Sequence, residues 1–517
     1  MTAASTRAEE DESATARVGT AARGTALNLA GSVVGAAVGF VTIGLVTNHW
    51  GRSDAGLFFA ATALFTLGAN GARMGSEAGL TYFVARLRAD GRDGSVPTVI
   101  RTALRLTAGV ALVVAVIGVV AAPALSRLVT SEASSRADAT AMIRILAVAV
   151  PTFSLTQALS GVSRGFATMR PAVVSGQLVR PLSQLALVVA VVLTTDSLPA
   201  LALAWALSSA VTLVTIGAWV RRRVARVRER HGRETDPTVA VRYLRFSIGR
   251  AGADLVSAAL ERLDVIVVAA VLGQSAAGLY GASGRLILAG QLLMIAASQS
   301  TAPQLTASFA AGRDDEAGHL LRTVTAWNVT LLWPLFICLG FGATTALSIF
   351  GPEFTDGQPV VVVLALTMLV IVGLGGGDTV LTSTGDSVRS LVNHVAALVV
   401  MVGSALILLP RIGLTGAAVS WALSRLTLRG LASVRVWRTR RVHAMGRPVV
   451  LAGAAAVVAY GPLGLAATSI LGPGPVAVAV NVVGGAAIHV ALLARLRHEL
   501  ELDRFIATLT RRTVPIR

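Results

Sequence analysis

Ionisable side chains inside long apolar runs are the residues here that demand a chemical explanation. Each costs about 2.5–3.5 kcal/mol at the centre of a membrane helix, so each needs a partner or a task. The densest set lies in the run 246–272, which carries Arg250, Asp254, Glu261 and Asp264. On a helix of 3.6 residues per turn these four share an arc of about 80°, with Arg262 off the stripe. Two readings stay open. The stripe either faces a cavity and binds substrate or a coupling cation, or Arg250 pairs internally with Asp254 at i,i+4 while the other acids are neutralised or paired with neighbouring helices.

The run 55–84 holds Arg73 and Glu77, also four apart, within Gly71-Ala-Arg-Met-Gly-Ser-Glu-Ala-Gly79. Arg180 stands beside Pro181 in the run 172–194, and Arg285 lies in 277–305. A guanidinium lining a cavity can grip a diphosphate through charge-assisted, bidentate hydrogen bonds. Snorkelling to the interface is the competing account. It suits Arg180, near a helix end, better than the deeper Arg73 and Arg285. The segment Gly373-Leu-Gly375-Gly376-Gly377-Asp378 weakens its helix, so Gly375, Gly376 and Gly377 form either a hinge or a close-packing patch.

Other chemistries lack their residues. The seven histidines show no ligand spacing, and no phosphate-cradling glycine loop precedes a Lys. Cys338 is the single cysteine, which excludes an internal disulfide or a cysteine metal cluster. No cofactor or metal is expected, and any driving energy must come from an ion gradient, the membrane potential or the substrate gradient. An enzyme such as a glycan polymerase would need an extramembrane platform with positioned acids and bases. The short loops expected here offer none.

The elements that position these residues are membrane helices. Hydrophobic residues make up 54% of the 517, charged ones only 14%, and the charges are bunched between apolar runs. Runs long enough to cross a hydrocarbon core recur throughout. Crossing elements must be helices, because an open sheet edge is not tolerated in lipid. The expectation is an all-α membrane protein with about fourteen spans: 24–48, 55–84, 106–126, 140–163, 172–194, 197–220, 246–272, 277–305, 320–350, 358–384, 390–410, 413–434, 448–470 and 476–494. Residues 1–23 form an N-terminal tail, 24–220 a first six-helix bundle and 221–245 an Arg-rich linker. A second bundle follows at 246–434, then a linker at 435–447, a helix pair at 448–494 turning at Gly472-Pro-Gly-Pro475, and a tail at 495–517.

The net charge of +18 belongs to topology rather than to nucleic acid. If the N-terminus is cytoplasmic, 35 of the arginines fall on the inward side. Only Arg52, Arg127, Arg136, Arg144 and Arg411 fall outward. The expectation is therefore a multi-pass protein of the cell membrane with both termini cytoplasmic, the bilayer as its partner, no nucleic acid, and a monomeric state.

The halves are related. Residues 51–64 (GRSDAGLFFAATAL) match 273–286 (GQSAAGLYGASGRL) at an offset of 222. Gly91-Arg-Asp93 recurs as Gly312-Arg-Asp314, and Trp205-Ala-Leu-Ser208 as Trp421-Ala-Leu-Ser424. Six spans per half make this a parallel repeat. The positions equivalent to Arg250, Asp254, Glu261 and Asp264 are Asn28, Ser32, Gly39 and Thr42, so the charge is specific to the second half.

With the repeat in view, Arg262-Leu-Asp264-Val-Ile-Val-Val-Ala-Ala-Val-Leu-Gly273 and Ala277-Gly-Leu-Tyr280-Gly-Ala282 resemble the multidrug/oligosaccharidyl-lipid/polysaccharide (MOP) exporter superfamily. The closer likeness is to its polysaccharide transporter branch, the Wzx-type flippases. Gly351-Pro-Glu-Phe354 and Gly413-Leu-Thr-Gly-Ala-Ala418 fit the same pattern, and the likeness covers about residues 20–440. It implies a V-shaped, MATE-like pair of six-helix bundles working by alternating access. The implied cargo is a lipid-linked oligosaccharide or polysaccharide precursor turned from the inner to the outer leaflet, with a coupling cation as a further partner. The extra C-terminal pair fits flippases better than twelve-helix drug exporters. A drug or metabolite antiporter on the same scaffold is the alternative, and a lipid II flippase is further off.

Overall fold

The computed structural model describes residues 2–232, 236–377, 380–381 and 387–501, with side chains at these positions except 2–27, 29, 289, 292–293, 295–303 and 310. Asp378 and residues 502–517 of the expected tail lie outside the described residues. In chain order the helices are α1 (Thr2–Ala72), α2 (Ser76–Ala89), α3 (Val96–Val129), α4 (Arg136–Gly165), the four-residue α5 (Arg170–Val173), α6 (Arg180–Thr194), α7 (Leu198–His231), α8 (Pro237–Leu272), α9 (Gln274–Ala310) and α10 (Asp314–Phe341). The short α11 (Ala343–Leu347) precedes α12 (Gln358–Leu374), α13 (Ser387–Arg440), α14 (Arg447–Leu471) and α15 (Pro475–Leu496). No strand occurs among the described residues.

Proline stands in the first turn of α3, α5, α6, α7, α12, α14 and α15, where its missing N–H has no helical partner to lose. Among the described residues ten helices are long and apolar enough to cross a membrane. Two of these are double-length. The stretch 30–89 is broken at Gly51, whose φ of 72° favours a residue without Cβ, and α13 is broken at Ile412 and Gly413. α8 and α9, of 36 and 37 residues, are long enough to add two more, which is consistent with fourteen crossings. The turn at Gly472 separates α14 from α15 as expected.

The expected span 55–84 is not one helix. It breaks at Arg73–Gly75, where Met74 (φ 50°) and Gly75 (φ 67°) are both left-handed before α2 begins. A non-glycine residue in that region is uncommon and locally costly. A π-helical turn, Val174–Val179, similarly interrupts the expected span 172–194 between α5 and α6.

Two compact units divide the chain: residues 1–49 with 61–258, and residues 50–60 with 259–517. In the first, α4 packs against α2, α3 and α7. The approach of α4 to α2 is close enough that a Cβ on Gly161 would lie 2.3 Å from the Glu77 carbonyl oxygen. A buried cluster including Leu80, Val84, Val99, Phe166 and Tyr243 fills the ends of these helices. Leu112, Val116 and Val120 on α3 are left exposed, as a lipid-facing surface requires.

In the second unit α10 packs against α9, α12 and α14, and α14 against α15. Here the repeated segments meet. A Cβ on Gly56 would lie 1.8 Å from the Gln274 carbonyl oxygen, and one on Gly278 would lie 2.1 Å from that of Arg52. Gly56 and Gly278 are equivalent in the repeat, as are Arg52 and Gln274. The hydrogen bonds are reciprocal too. Arg52 Nε donates to the Ser275 carbonyl (3.2 Å), and Gln274 Nε2 donates to Ser53 Oγ (2.6 Å). The segments 51–56 and 273–278 are thus related by a local two-fold axis.

Candidate functional site

In the first unit an uninterrupted chain of charges runs Arg164–Glu77–Arg73–Asp254–Arg250. Arg73 Nη1 donates to Glu77 Oε2 at 3.0 Å, and Arg164 donates to Glu77 Oε1, so both carboxylate oxygens are occupied. Asp254 is held more loosely. Arg73 Nε lies 3.4 Å from its Oδ2 and Arg250 Nε 3.6 Å from its Oδ1. The Arg73 contact is ionic without hydrogen-bond geometry, and the buried Nε–H is left without an acceptor. Three guanidinium groups thus face two carboxylates.

The helix break presents this chain. Arg73 sits in the turn rather than in a helix, and Ser76 N–H donates to its carbonyl at 2.9 Å. Gly75 packs beside the Arg250 side chain, 3.0 Å from Arg250 Cβ to a built Cβ. Asp254 is 9% exposed, whereas the Arg250 side chain is about half-exposed at the open end. A partly exposed Arg terminus and an orphaned donor on Arg73 are what an incoming oxyanion would engage.

In the second unit Asp264 is arranged differently. Its Oδ1 accepts from the backbone N–H of Val265 (2.8 Å) and its Oδ2 from the Tyr280 hydroxyl (3.1 Å), and among the described residues no Arg forms an ion pair with it. Beside it is a cavity with room for little more than a water-sized sphere, lined by Val268, Met401, Ala405 and Ser420. Arg425 donates to the Leu260 carbonyl (3.2 Å) and lies over the Trp421 ring.

The structure therefore joins Arg73, Glu77, Arg250 and Asp254 within the first unit, while Glu261 and Asp264 belong to the second. Glu261 is exposed, and Arg285 is half-buried; among the described residues neither has an ionic partner. Arg180 stacks on Phe153, 4.5 Å from the ring centroid. Gly375 ends α12 with a φ of 71°, and Gly377 packs tightly on Ser433, 3.1 Å from a built Cβ to its backbone nitrogen. Arg164 and Ser420 escaped sequence reasoning. Arg164 looked like one more inward arginine at a span end. The signal for its role was Glu77, a carboxylate whose second oxygen Arg73 at i,i+4 leaves open to another donor.

The helical architecture matches solved MOP-superfamily transporters. A lipid II flippase in an inward closed conformation aligns over 92% of this chain and 99% of its own, with a TM-score of 0.73 at 10% identity. A multidrug resistance MATE family transporter in an inward-facing conformation aligns over 78% and 94%, at 0.67 and 15%. A MOP superfamily transporter from Pyrococcus furiosus, described as having a binding pocket of reversed polarity, aligns over 81% and 95%, at 0.57 and 14%. No curated protein matches the chain. The fold is that of a multi-pass membrane transporter of the MOP superfamily. The polysaccharide biosynthesis protein family matches residues 21–309, more than half the chain, and this protein belongs to it.

Proposed function

We propose that this protein moves a lipid-linked oligosaccharide or polysaccharide precursor from the inner to the outer leaflet by alternating access. The observation that carries this reading is the chain Arg164–Glu77–Arg73–Asp254–Arg250 inside an apolar unit, with one guanidinium more than its carboxylates neutralise. A diphosphate bridging sugar and lipid is the anion it suits. It would displace the weakly held Asp254 oxygens from Arg250 and Arg73, exchanging loose ionic contacts for bidentate hydrogen bonds. Membership of a polysaccharide biosynthesis family supports that cargo class.

Asp264 favours a cation as the coupling partner. An acid held by neutral donors beside a water-sized cavity, with the Ser420 hydroxyl on its wall, is suited to a small desolvated cation or a proton. The same feature is what a drug or metabolite antiporter would need, and the two readings part at the arginine chain.

The test is reconstitution in proteoliposomes with a fluorescent undecaprenyl-diphosphate-linked sugar, measuring its protection from a membrane-impermeant quencher. Wild-type protein should translocate it, Arg73→Gln should not, and Arg73→Lys should retain part of the rate. Translocation unaffected by Arg73→Gln, together with accumulation of a cationic dye against a proton or sodium gradient, would overturn the flippase reading in favour of the antiporter.

A further inference from the structure

The sequence places only five arginines on the side predicted to face outward, where the positive-inside rule depletes them. Two are accounted for within the fold. Arg52 pairs with Asp356 at 3.0 Å and its backbone N–H donates to Glu353 at 2.6 Å. Arg411 donates to the Ile407 carbonyl of its own helix at 2.9 Å. The other three, Arg127, Arg136 and Arg144, converge on one cavity of about 470 Å³ between the C-terminal end of α3 and the first turns of α4. No acidic side chain lines it, and among the described residues none of the three is ion-paired.

We propose that this cavity is an anion site that takes a phosphate or diphosphate group. Arg136, Thr140 and Arg144 stand at i, i+4 and i+8 on α4 and share one face, while Arg127 and Ser126 close the opposite wall from α3. Ser126 spends its hydroxyl hydrogen on the Pro123 carbonyl (2.9 Å), and Arg136 commits one N–H to the Ser131 carbonyl (3.3 Å). Among the described residues the remaining guanidinium donors have no hydrogen-bond partner. Three like charges gathered in one concavity repel one another unless an anion joins them, and the concave wall concentrates their field on whatever enters. Phosphate fits by geometry as well as by charge, because each guanidinium presents two parallel donors to two phosphate oxygens. A carboxylate offers only two oxygens to three such forks.

The phosphate can come from an anionic lipid headgroup or from a phosphate group in solution, including that of a cargo. The site stands apart from the charge chain of Arg73, and its test does not depend on what is transported. The full chain, purified in detergent, is titrated with inorganic pyrophosphate by calorimetry. In parallel, native mass spectrometry follows retention of phosphatidylglycerol against phosphatidylcholine. Arg127→Gln/Arg144→Gln should weaken pyrophosphate binding by about tenfold or more, each single variant by less, and Arg127→Lys/Arg144→Lys by only about threefold. Arg411→Gln, on the same side but outside the cavity, should leave binding unchanged. Loss of selective phosphatidylglycerol retention in the Gln pair identifies the headgroup as a source. Loss of pyrophosphate binding alone identifies a soluble phosphate. Equal binding of both probes to wild type and the Gln variants overturns the proposal, as does an equal loss in Arg411→Gln. If the double variant fails to fold, the two single variants and the Lys pair still decide it.

Discussion

The charged chain of the first unit and the Asp264 site of the second solve the same problem, a carboxylate among apolar helices, in opposite ways. Glu77 has both oxygens engaged by arginines from the break before α2 and from α4. Asp264 has a backbone N–H, a tyrosine hydroxyl and a small cavity. The repeat sharpens the contrast. Thr42, the equivalent of Asp264, turns its hydroxyl back to the Val38 carbonyl at 2.8 Å, and the equivalent of Tyr280 is Phe58. The acid and the hydroxyl that serves it are present together in one repeat and absent together from the other. Saturated acids position arginines. An acid hydrogen-bonded to neutral donors, with Arg425 and Arg262 acting on it only from a distance, is open to a further partner.

The largest effect should follow from breaking the centre of the saturated chain. Arg73→Ala strips one partner from Glu77 and one from Asp254, and leaving partly buried acids uncompensated costs on the order of 3 kcal/mol. The variant should unfold at lower temperature in detergent and lose translocation. Adding Glu77→Gln should restore part of the stability but none of the transport. Full recovery of transport would reduce the chain to a structural device.

Asp264→Asn keeps the shape and hydrogen-bonding reach while removing the charge. It should leave expression and thermal stability near wild type yet abolish the dependence of translocation rate on an imposed cation or proton gradient. Tyr280→Phe, which removes one neutral donor, should weaken that dependence and cost about 1 kcal/mol. An Asp264→Asn protein that still responds to the gradient would erase the distinction between the two sites.

Where the repeats coincide, substitutions should behave alike. Gly56→Ala and Gly278→Ala each drive a methyl into a carbonyl oxygen of the partner segment. Both should destabilise by about 1–3 kcal/mol, read as matched falls in thermal midpoint. A large effect in one and none in the other would show that the two-fold relation is not mechanical.

The smallest effect lies outside the membrane. Hydrogen bonds from Thr238 and Arg92 lower the Asp236 pKa from an ordinary 3.8 to about 2. A depressed acid contributes stability that is fully present above the unfolded value and is lost as pH falls through the folded one. The wild-type midpoint should therefore fall faster than that of Asp236→Asn between about pH 4 and pH 2. Parallel curves would remove Asp236 from the linkage.

Much of this architecture was legible because the membrane reduces folding to a few strict rules. Apolar run length gave the crossings, and the equivalence of Gly56 with Gly278 gave the repeat. Arg73, Glu77, Arg250 and Asp254 stood out because the cost of burying charge demanded partners. What stayed hidden depended on tertiary contact. Arg164 is nearly 90 residues from Glu77, and no spacing rule joins them. The break at Met74 and Gly75 was masked because the run 55–84 is apolar enough to read as one helix, although Gly71, Gly75 and Gly79 marked a weak point. Arg127, Arg136 and Arg144 were counted as outward charges one at a time. Their convergence appears only when α3 and α4 are packed.

The reciprocal contact at Gly56 and Gly278 also binds two distant positions of one chain to a shared constraint. A patch that meets its own copy across a two-fold axis is the interface by which identical chains form closed dimers. Here one chain supplies both copies, so each glycine can be substituted alone although each is bounded by the other's segment. Asp264 and Thr42 stand at equivalent positions and differ, whereas the two glycines are the same residue and each is held to that by the partner segment's backbone.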